Sequence, residues 1–493
     1  MNQNGTNDDI LKDRSFFGHP KGLFTLFFTE FWERFSYYGM RAILLFYMYY
    51  EISDGGLGLD KSTATSVMAI YGSMIYMSGV IGGWLADRVL GTTKTIFYGG
   101  ILIMLGHIAL AIPLNGLIPL FTSIGLLVIG TGLLKPNISS AVGDLYSKED
   151  FRRDSGFNVF YTGINMGGLL APMVVGTLGQ RYNFHLGFGV AAIGMFIGLV
   201  TFVLTKKNFL SSVGSKAPNP LKPAEKKKTI TVVSISSIII ILVGTLLISM
   251  NLLTINIFTI IISVLAVIIP IIYFIIMYKS PKTTKKEQSN LIAYIPLFIA
   301  AVLFFSILEQ GSIILATFAD TRTSLEFLGF GLESSWFQSL GPLFIVILAP
   351  FFAWLWLKLK DKQPSTTKKF SFGLFFGGFS FLIMVLPGLI GGTDALASPL
   401  WLLSSFFLVA LGELFLSPIG LSATTQLAPA AFASQTMSLW FLANAAGQGI
   451  NAQIVRLFKP ETEIIYFTTI GALSITLGIL LYLISPMIQK RMN

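Results

Sequence analysis

Seven ionisable residues lie inside stretches that are otherwise apolar: Glu30, Glu33, Arg34, Arg41, Lys135, Glu309 and Glu413. Arg34 follows Glu30 by four residues and adjoins Glu33, so on a helix the three can crowd one face. A charge at membrane depth costs at least about 2.5–3.5 kcal/mol on insertion scales and survives where it meets a partner or a wet cavity. The chemistry open to such a cluster is proton exchange. A carboxylate beside a guanidinium stays ionised, whereas the same group left alone in a low-dielectric site is pushed to bind a proton. An anion that takes Arg34 therefore favours protonation of Glu30 or Glu33. A carboxylate is such an anion, because a guanidinium accepts it bidentately. For any one of these residues the plainer alternative is a structural ion pair; the set as a whole resists it.

The elements that carry these charges are expected to be membrane helices. Of 493 residues, 53% belong to the AVILMFWYC set, only 12% are charged, and the mean hydropathy is +0.73. Soluble domains carry about 25% charged residues, so a soluble globular enzyme is excluded. Runs of about 20 apolar residues recur some fourteen times. Cysteine is absent, and the three histidines, His19, His107 and His185, are scattered. Disulfides, thiolate chemistry and a histidine metal cluster are thereby set aside, and His107 is read as a packed residue. Gly130-Thr131-Gly132 before Lys135 is a helix feature, since no nucleotide-binding G-x-x-x-x-G-K-[ST] loop is present. No cofactor is expected beyond the proton as coupling ion.

The net charge of +10 falls mostly in one set of loops: Lys12 to Lys21, Arg88/Lys94, Lys148 to Arg153, Lys206 to Lys228, Lys279 to Lys286, Lys358 to Lys369 and Lys490/Arg491. The opposite loops hold Lys61, Arg181, Arg322, Arg456 and Lys459. This bias predicts a multi-pass protein of the plasma (inner) membrane with both termini cytoplasmic, so the basic balance reports topology rather than nucleic acid. The expected order is a cytoplasmic segment (1–21), a six-helix bundle (22–205), a Pro- and Lys-rich cytoplasmic linker, extended or mobile (206–228), two inserted helices with a loop (229–288), a second six-helix bundle (289–488) and a short tail (489–493). With the inserted pair set aside, the buried charges fall on helices one, four, seven and ten. A period of three is the signature of two halves, each an inverted repeat of three helices, as in major facilitator transporters. The expected fold is thus all-α and integral to the membrane, with four helices lining one cavity.

These residues resemble the proton-dependent oligopeptide transporter (POT, or PTR2) family, in its bacterial branch. The likeness rests on Glu30-Phe31-Trp32-Glu33-Arg34-Phe35-Ser36-Tyr37-Tyr38-Gly39, on Gly82-Gly83-Trp84-Leu85-Ala86-Asp87-Arg88-Val89-Leu90-Gly91, and on Phe157-Asn158-Val159-Phe160-Tyr161-Thr162-Gly163-Ile164-Asn165-Met166-Gly167. Glu309-Gln310-Gly311-Ser312 and Gly412-Glu413-Leu414-Phe415-Leu416-Ser417-Pro418 extend it into the second half. The resemblance implies uptake of di- and tripeptides, and of peptide-like drugs by analogy, with protons and by alternating access. It implies a peptide carboxylate on Arg34 and Lys135, and an amino terminus on Asn165 and Glu413. Tyr37, Tyr38, Tyr76, Phe305, Gln310, Trp440, Phe441 and Asn444 would line the pocket. Glu30, Glu33, Arg34 and Glu309 would handle the proton, and Arg41–Glu309 and Lys135–Glu413 would be gate salt bridges. Asp87 and Arg88 would form a structural loop between helices two and three.

Two departures from the family pattern stand out. Phe337-Gln338-Ser339-Leu340 is followed by Gly341-Pro342 where relatives place Asn before Pro, and Phe305 stands where relatives often carry Trp. A monomer is expected. The alternatives are a facilitator-type carrier for another small anion, an amino acid or a drug, and, from other classes, a membrane-embedded enzyme or a channel. No HExxH, intramembrane Asp pair or repeated pore ring supports the last two.

Overall fold

A computed structural model describes residues 13–492 apart from 115, 148, 149, 151, 211–213, 251, 328, 360 and 361. Expectations for residues 1–12, Lys148, 211–213 and 493 therefore lie outside the described residues. The described chain forms helices α1 (Gly22–Tyr49), α2 (Lys61–Leu85), α3 (Thr92–Ala111), α4 (Leu117–Gly143), α5 (Arg152–Arg181), α6 (Phe184–Phe209), α7 (Pro223–Ser249), α8 (Ile255–Lys279), α9 (Lys285–Glu309), α10 (Ile314–Arg322), α11 (Leu340–Leu359), α12 (Thr366–Leu382), α13 (Val385–Gly391), α14 (Pro399–Leu427), α15 (Ala433–Ile454) and α16 (Glu463–Met492). A single two-residue hairpin, Glu326–Phe327 with Phe330–Gly331, is the strand content of the described residues. Eleven helices are long and apolar enough to cross a membrane, α9 and α10 counting as one span and α12 and α13 as another. Among the described residues α1, α7 and α15, of 28, 27 and 22 residues, also have the length of a span. The architecture of the described residues is all-α with long apolar helices, as expected.

The chain divides into two compact units. The first holds residues 1–36, 78–164 and 189–262, the second residues 37–77, 165–188 and 263–493. In the first unit, glycines set the helix crossings. A Cβ at Gly99 would lie 2.7 Å from the Gly130 carbonyl, one at Gly130 2.8 Å from the Gly99 carbonyl, and one at Gly82 would overlap the Gly132 carbonyl. The Gly130-Thr131-Gly132 run is thus a backbone-to-backbone contact, the small-residue packing of membrane helices. Gly194 and Gly198 of α6 receive Phe35 and Trp32 of α1 in the same way. The Asp87-Arg88 loop turns through a π-helical segment at Ala86–Leu90. Part of the polar linker is fastened there: Asn219 N–H donates to the Asp87 carbonyl at 3.1 Å, Leu221 N–H to the Arg88 carbonyl at 3.0 Å, and Arg88 pairs with Glu225 at 3.5 Å. The helices reach further into this polar stretch than composition predicts, α6 ending at Phe209 and α7 starting at Pro223.

In the second unit, α2 is tied to α15 by Ser66 and Ser73 hydroxyls donating to the Ala452 and Ala445 carbonyls, each at 2.8 Å. α11 is tied to α5 by Ser339 donating to the Leu169 carbonyl at 2.7 Å. The inserted helix α8 packs on α15, where a Cβ at Gly449 would lie 2.8 Å from Ala266 Cβ and Gln453 donates to Ser263 at 2.8 Å. Many of its other aliphatic side chains, Ile261, Val264, Ile268, Ile271 and Ile275 among them, are exposed, as lipid-facing residues would be.

The segment before α1 is clasped to the first unit through His19, which is 7% exposed. Its Nδ1 lies 2.9 Å from the Tyr146 hydroxyl and its Nε2 3.2 Å from Ser155 Oγ. Ser155 donates its own proton to the Arg152 carbonyl, which leaves its oxygen to accept from Nε2–H, and a Tyr146 hydroxyl donating to Nδ1 suits the neutral ring. Arg152 in turn donates to the Asp13 carbonyl at 2.9 Å and pairs with Asp150 at 2.8 Å. Burial, and then the Arg152 guanidinium, hold the His19 imidazole below its ordinary value of 6.5, against a smaller pull from Asp150. Because the folded value is depressed, the unfolded segment binds more protons, so the clasp is full above about pH 6.5 and weakens as pH falls through the folded value. Amide protection factors in residues 13–21, with intrinsic exchange divided out at each pH, should therefore fall between about pH 7.5 and 5.5 in the wild type. His19→Gln, which cannot titrate, should show protection that does not change over that range.

Candidate functional site

The charges of α1 are buried by the residues that flank them. Trp32 and Phe35 fill the glycine notches of α6, which turns Glu30, Glu33 and Arg34 inward at 2%, 0% and 1% exposure. Arg34 Nε lies 2.5 Å from Glu33 Oε2 and its Nη2 2.8 Å from Oε1, a bidentate pair, while Nε also lies 3.2 Å from Glu30 Oε1. Glu30 Oε2 has no hydrogen-bond partner among the described residues. Lys135, half-buried on α4 just before Pro136, lies within electrostatic range of Glu30. Its helix is placed by the Gly99–Gly130 and Gly82–Gly132 contacts, and by Asn137 donating to the Gly82 carbonyl at 3.1 Å. This first cluster gathers Glu30, Glu33, Arg34 and Lys135 within one unit.

A second cluster centres on Glu309, the last residue of α9, in the other unit. Arg41 Nη2 lies 2.5 Å from its Oε2, so the ion pair expected between α1 and α9 is formed. Tyr76 of α2 donates to Oε1 at 3.3 Å and Asn444 Nδ2 of α15 at 3.1 Å. Arg41 also donates to the Tyr37 hydroxyl at 3.4 Å and lies over that ring. Glu413, half-buried on α14, is within electrostatic range of Glu309. Gln310 faces a second network: its Nε2 donates to Asn451 Oδ1 at 3.1 Å and its Oε1 accepts from Tyr466 at 2.6 Å. Phe305 and Trp440 meet edge to face with centroids 5.3 Å apart. Trp440 is 4% exposed and held against Gly420, whose Cβ would overlap the indole. Phe441, the next residue, is 39% exposed and turns to another face of α15. Asn165 is 8% exposed on α5, and Tyr38 packs on Gly168 one turn later, beside Pro342. A Cβ at Gly341 would meet open space.

The sequence-predicted residues thus form two groups. Lys135 belongs to the first unit and Glu413 to the second. Several polar residues escaped the sequence reading. Asp320 accepts from Tyr49 at 2.6 Å, Tyr50 at 2.7 Å and Ser334 at 3.1 Å. Gln180 donates to Ser334 at 2.7 Å, and Arg181 pairs with Glu333. Arg322, expected in a loop, instead ends α10, because the span resumes as helix after the break at Gln310–Ser312. It is 6% exposed, pairs with Glu463 at 3.0 Å and donates to the Gly392 carbonyl at 2.9 Å. The available signal was a matched pair of opposite charges at two helix ends.

The profile of the POT family matches residues 93–473. The chain is 60% identical to an uncharacterized transporter, YclF, of Bacillus subtilis (strain 168), covering 99% of this chain and 98% of that one. It is 49% identical to a di-/tripeptide transporter of Lactococcus lactis subsp. cremoris, covering 98% of both. The crystal structure of a peptide transporter POT in complex with sulfate superimposes with a TM-score of 0.97 at 58% identity, covering 100% of this chain and 99% of that one.

Breaking a buried pair by removing one partner costs about 3–5 kcal/mol, whereas replacing both by apolar residues is often neutral. Glu463→Leu should therefore lower the thermal midpoint of the purified protein markedly. Arg322→Met combined with Glu463→Leu should recover most of the loss in the same thermal scan.

Proposed function

The chain belongs to the POT family of peptide transporters, and from that membership we propose that it is a secondary active symporter importing di- and tripeptides with protons across the plasma membrane. The observation that carries the proton is the first cluster, one buried guanidinium shared by two buried carboxylates. A peptide carboxylate that binds Arg34, with Lys135 beside it, competes with Glu30 and Glu33 for the same donors. The carboxylate released is left in an apolar site, where the neutral form is favoured. Binding of cargo and binding of a proton are then one event, which is what symport requires. The peptide ammonium is assigned to Asn165 and Glu413. Tyr37, Tyr38, Tyr76, Phe305, Gln310, Trp440, Phe441 and Asn444 form walls that hydrogen-bond the constant backbone and tolerate variable side chains. Compounds with the same end groups, such as peptide-like drugs, fit this description. Glu309 takes part in the proton cycle by exchanging Arg41 for a proton, and Lys135–Glu413 is the corresponding pair elsewhere in the cycle.

The driving force is sufficient. Moving one positive charge across 100 mV is worth about 2.3 kcal/mol, and one unit of pH gradient adds about 1.4 kcal/mol. The total, about 3.7 kcal/mol, corresponds to roughly 500-fold accumulation of a neutral zwitterion. The Lys/Arg bias supports a cytoplasmic location of both termini, and the transporter is proposed to be a monomer without a cofactor.

The decisive experiment uses proteoliposomes with an inward proton gradient and a labelled dipeptide. Wild type should accumulate peptide, and Glu30→Gln and Glu33→Gln should each lose most gradient-driven uptake. Arg34→Ala should lose uptake at least tenfold while expressing normally. Uptake that ignores the gradient, with all three variants behaving as wild type, would refute the coupling.

Gly341 offers a second test. It faces open space, so Gly341→Asn is sterically permitted and supplies the amide that relatives carry before Pro342. The dipeptide KM should fall severalfold with little change in the maximal rate.

A further inference from the structure

Gln448 of α15 is fully buried, and neither its Nε2 nor its Oε1 has a hydrogen-bond partner among the described residues. One turn earlier on the same face, Asn444 Oδ1 is in the same condition, although Asn444 Nδ2 donates to Glu309. Carboxamides left unpaired in an apolar interior are expensive, and in folded proteins such groups are paired or hydrated. The side chain lies against Gly72 of α2, where a Cβ would overlap the carboxamide, so glycine at this position makes the room it occupies. Ser73 and Ser66 fasten α2 to α15 at Ala445 and Ala452, on either side of Gln448 along the helix.

The placement is directional. Gly72 precedes Tyr76 by four residues, and Gln448 follows Asn444 by four. Tyr76 and Asn444 are the two neutral groups that hold Glu309 Oε1. The Gly72–Gln448 pair therefore stacks one turn, about 6 Å along each helix, beyond the carboxylate, on the side leading to Arg456. That separation is too long for a direct hydrogen bond and suits one or two bridging waters.

We propose that Gln448 and Asn444 Oδ1 bind a short chain of water that delivers the coupling proton to Glu309 from the Arg456 end of α15, with Gly72 leaving room for the Gln448 carboxamide. The step is a proton transfer alone. An excess proton on the bound water passes to a Glu309 carboxylate oxygen, the carboxyl becomes neutral, and Arg41 loses its ion pair. Among the described residues, Arg41 of α1 pairs with Glu309, Tyr76 of α2 donates to it and Glu413 of α14 lies within electrostatic range, while Tyr37 of α1 lies beside Arg41 and Tyr76. Gln448 touches neither Glu309 nor the peptide in this scheme; it is a positioning residue. The inference rests on the proton-coupled reading above.

The test compares gradient-driven uptake of a labelled dipeptide with peptide counterflow at equal pH on both sides, in proteoliposomes of the full chain. Gln448→Leu, similar in size and unable to hold water, should slow driven uptake at least tenfold, leave counterflow within twofold, and move the pH for half-maximal uptake to more acid values. Gln448→Ser, which keeps a hydroxyl and leaves room for a further water, should retain at least half the driven rate. Wild-type driven uptake in Gln448→Leu would overturn the inference and leave proton coupling standing. Equal loss of counterflow in Gln448→Leu, or failure of Gln448→Ser to restore driven uptake, would make Gln448 a packing residue and also overturn it. A wild type indifferent to the gradient would remove the proton-coupled reading itself.

Discussion

A guanidinium buried in a membrane protein needs partners that compensate its charge, and three arginines of this chain meet that constraint with carboxylates in different ways. Arg34 has two acids, Glu30 and Glu33. Arg41 has Glu309, which also accepts from Tyr76 and Asn444. Arg322 has Glu463 and a backbone carbonyl. The stoichiometry separates a fixed pair from an exchangeable one. Neither Arg322 nor Glu463 can change partner without orphaning the other, a penalty of several kcal/mol, so that pair pins α10 to α16. Around Arg34 one carboxylate can leave or take a proton while the other still compensates the arginine. Around Glu309 the neutral donors Tyr76 and Asn444 soften the loss when Arg41 departs. Excess acid at the first centre and spare donors at the second are what a proton cycle needs.

The helix count and the residues that carry charge were legible because the membrane makes both conspicuous. An apolar span is long, and Glu30 or Lys135 within one violates its surroundings. The gathering of Arg34 with Glu30 and Glu33 followed from helical spacing, and the Arg41–Glu309 pair from the family resemblance. Asp320 was not legible, because its partners are the hydroxyls of Tyr49, Tyr50 and Ser334, residues that also occur wherever helices pack. Gln448 was hidden for a related reason: an uncharged amide in a small-residue helix reads as packing, and its isolation depends on Gly72, far away in sequence. Arg322 was misplaced because the break at Gln310–Ser312 conceals a helix that resumes beyond it. His19 offered no pattern at all, since its clasp is made by Tyr146 and Ser155 through tertiary folding.

The same distinction between fixed and exchangeable contacts runs through the packing. Within the first unit the crossings are glycine against backbone: Gly82 on Gly132, Gly99 on Gly130. Such contacts are close and shape-specific, and they give way only if helices separate bodily. Within the second unit, the residues that join α1, α2 and α5 to the later helices rely on single hydroxyl or amide donors to carbonyls. Ser66, Ser73, Ser339 and Gln338 each make one such bond, and Asp320 collects three hydroxyls. Interhelical hydrogen bonds of this kind average about 0.6 kcal/mol in membrane proteins. A row of them closes an interface firmly in sum, yet each breaks at a cost near thermal energy, and water can replace every partner when the interface opens. The buried charged pair Arg41–Glu309 is a contact in that row whose loss is expensive, unless a proton neutralises the acid. On the proposed reading, in which Glu309 takes the coupling proton, an interface built this way opens readily after that acid is protonated and resists opening before. Coupling on that reading requires no separate transmission device, because the group that takes the proton also supplies a charged contact between the helices.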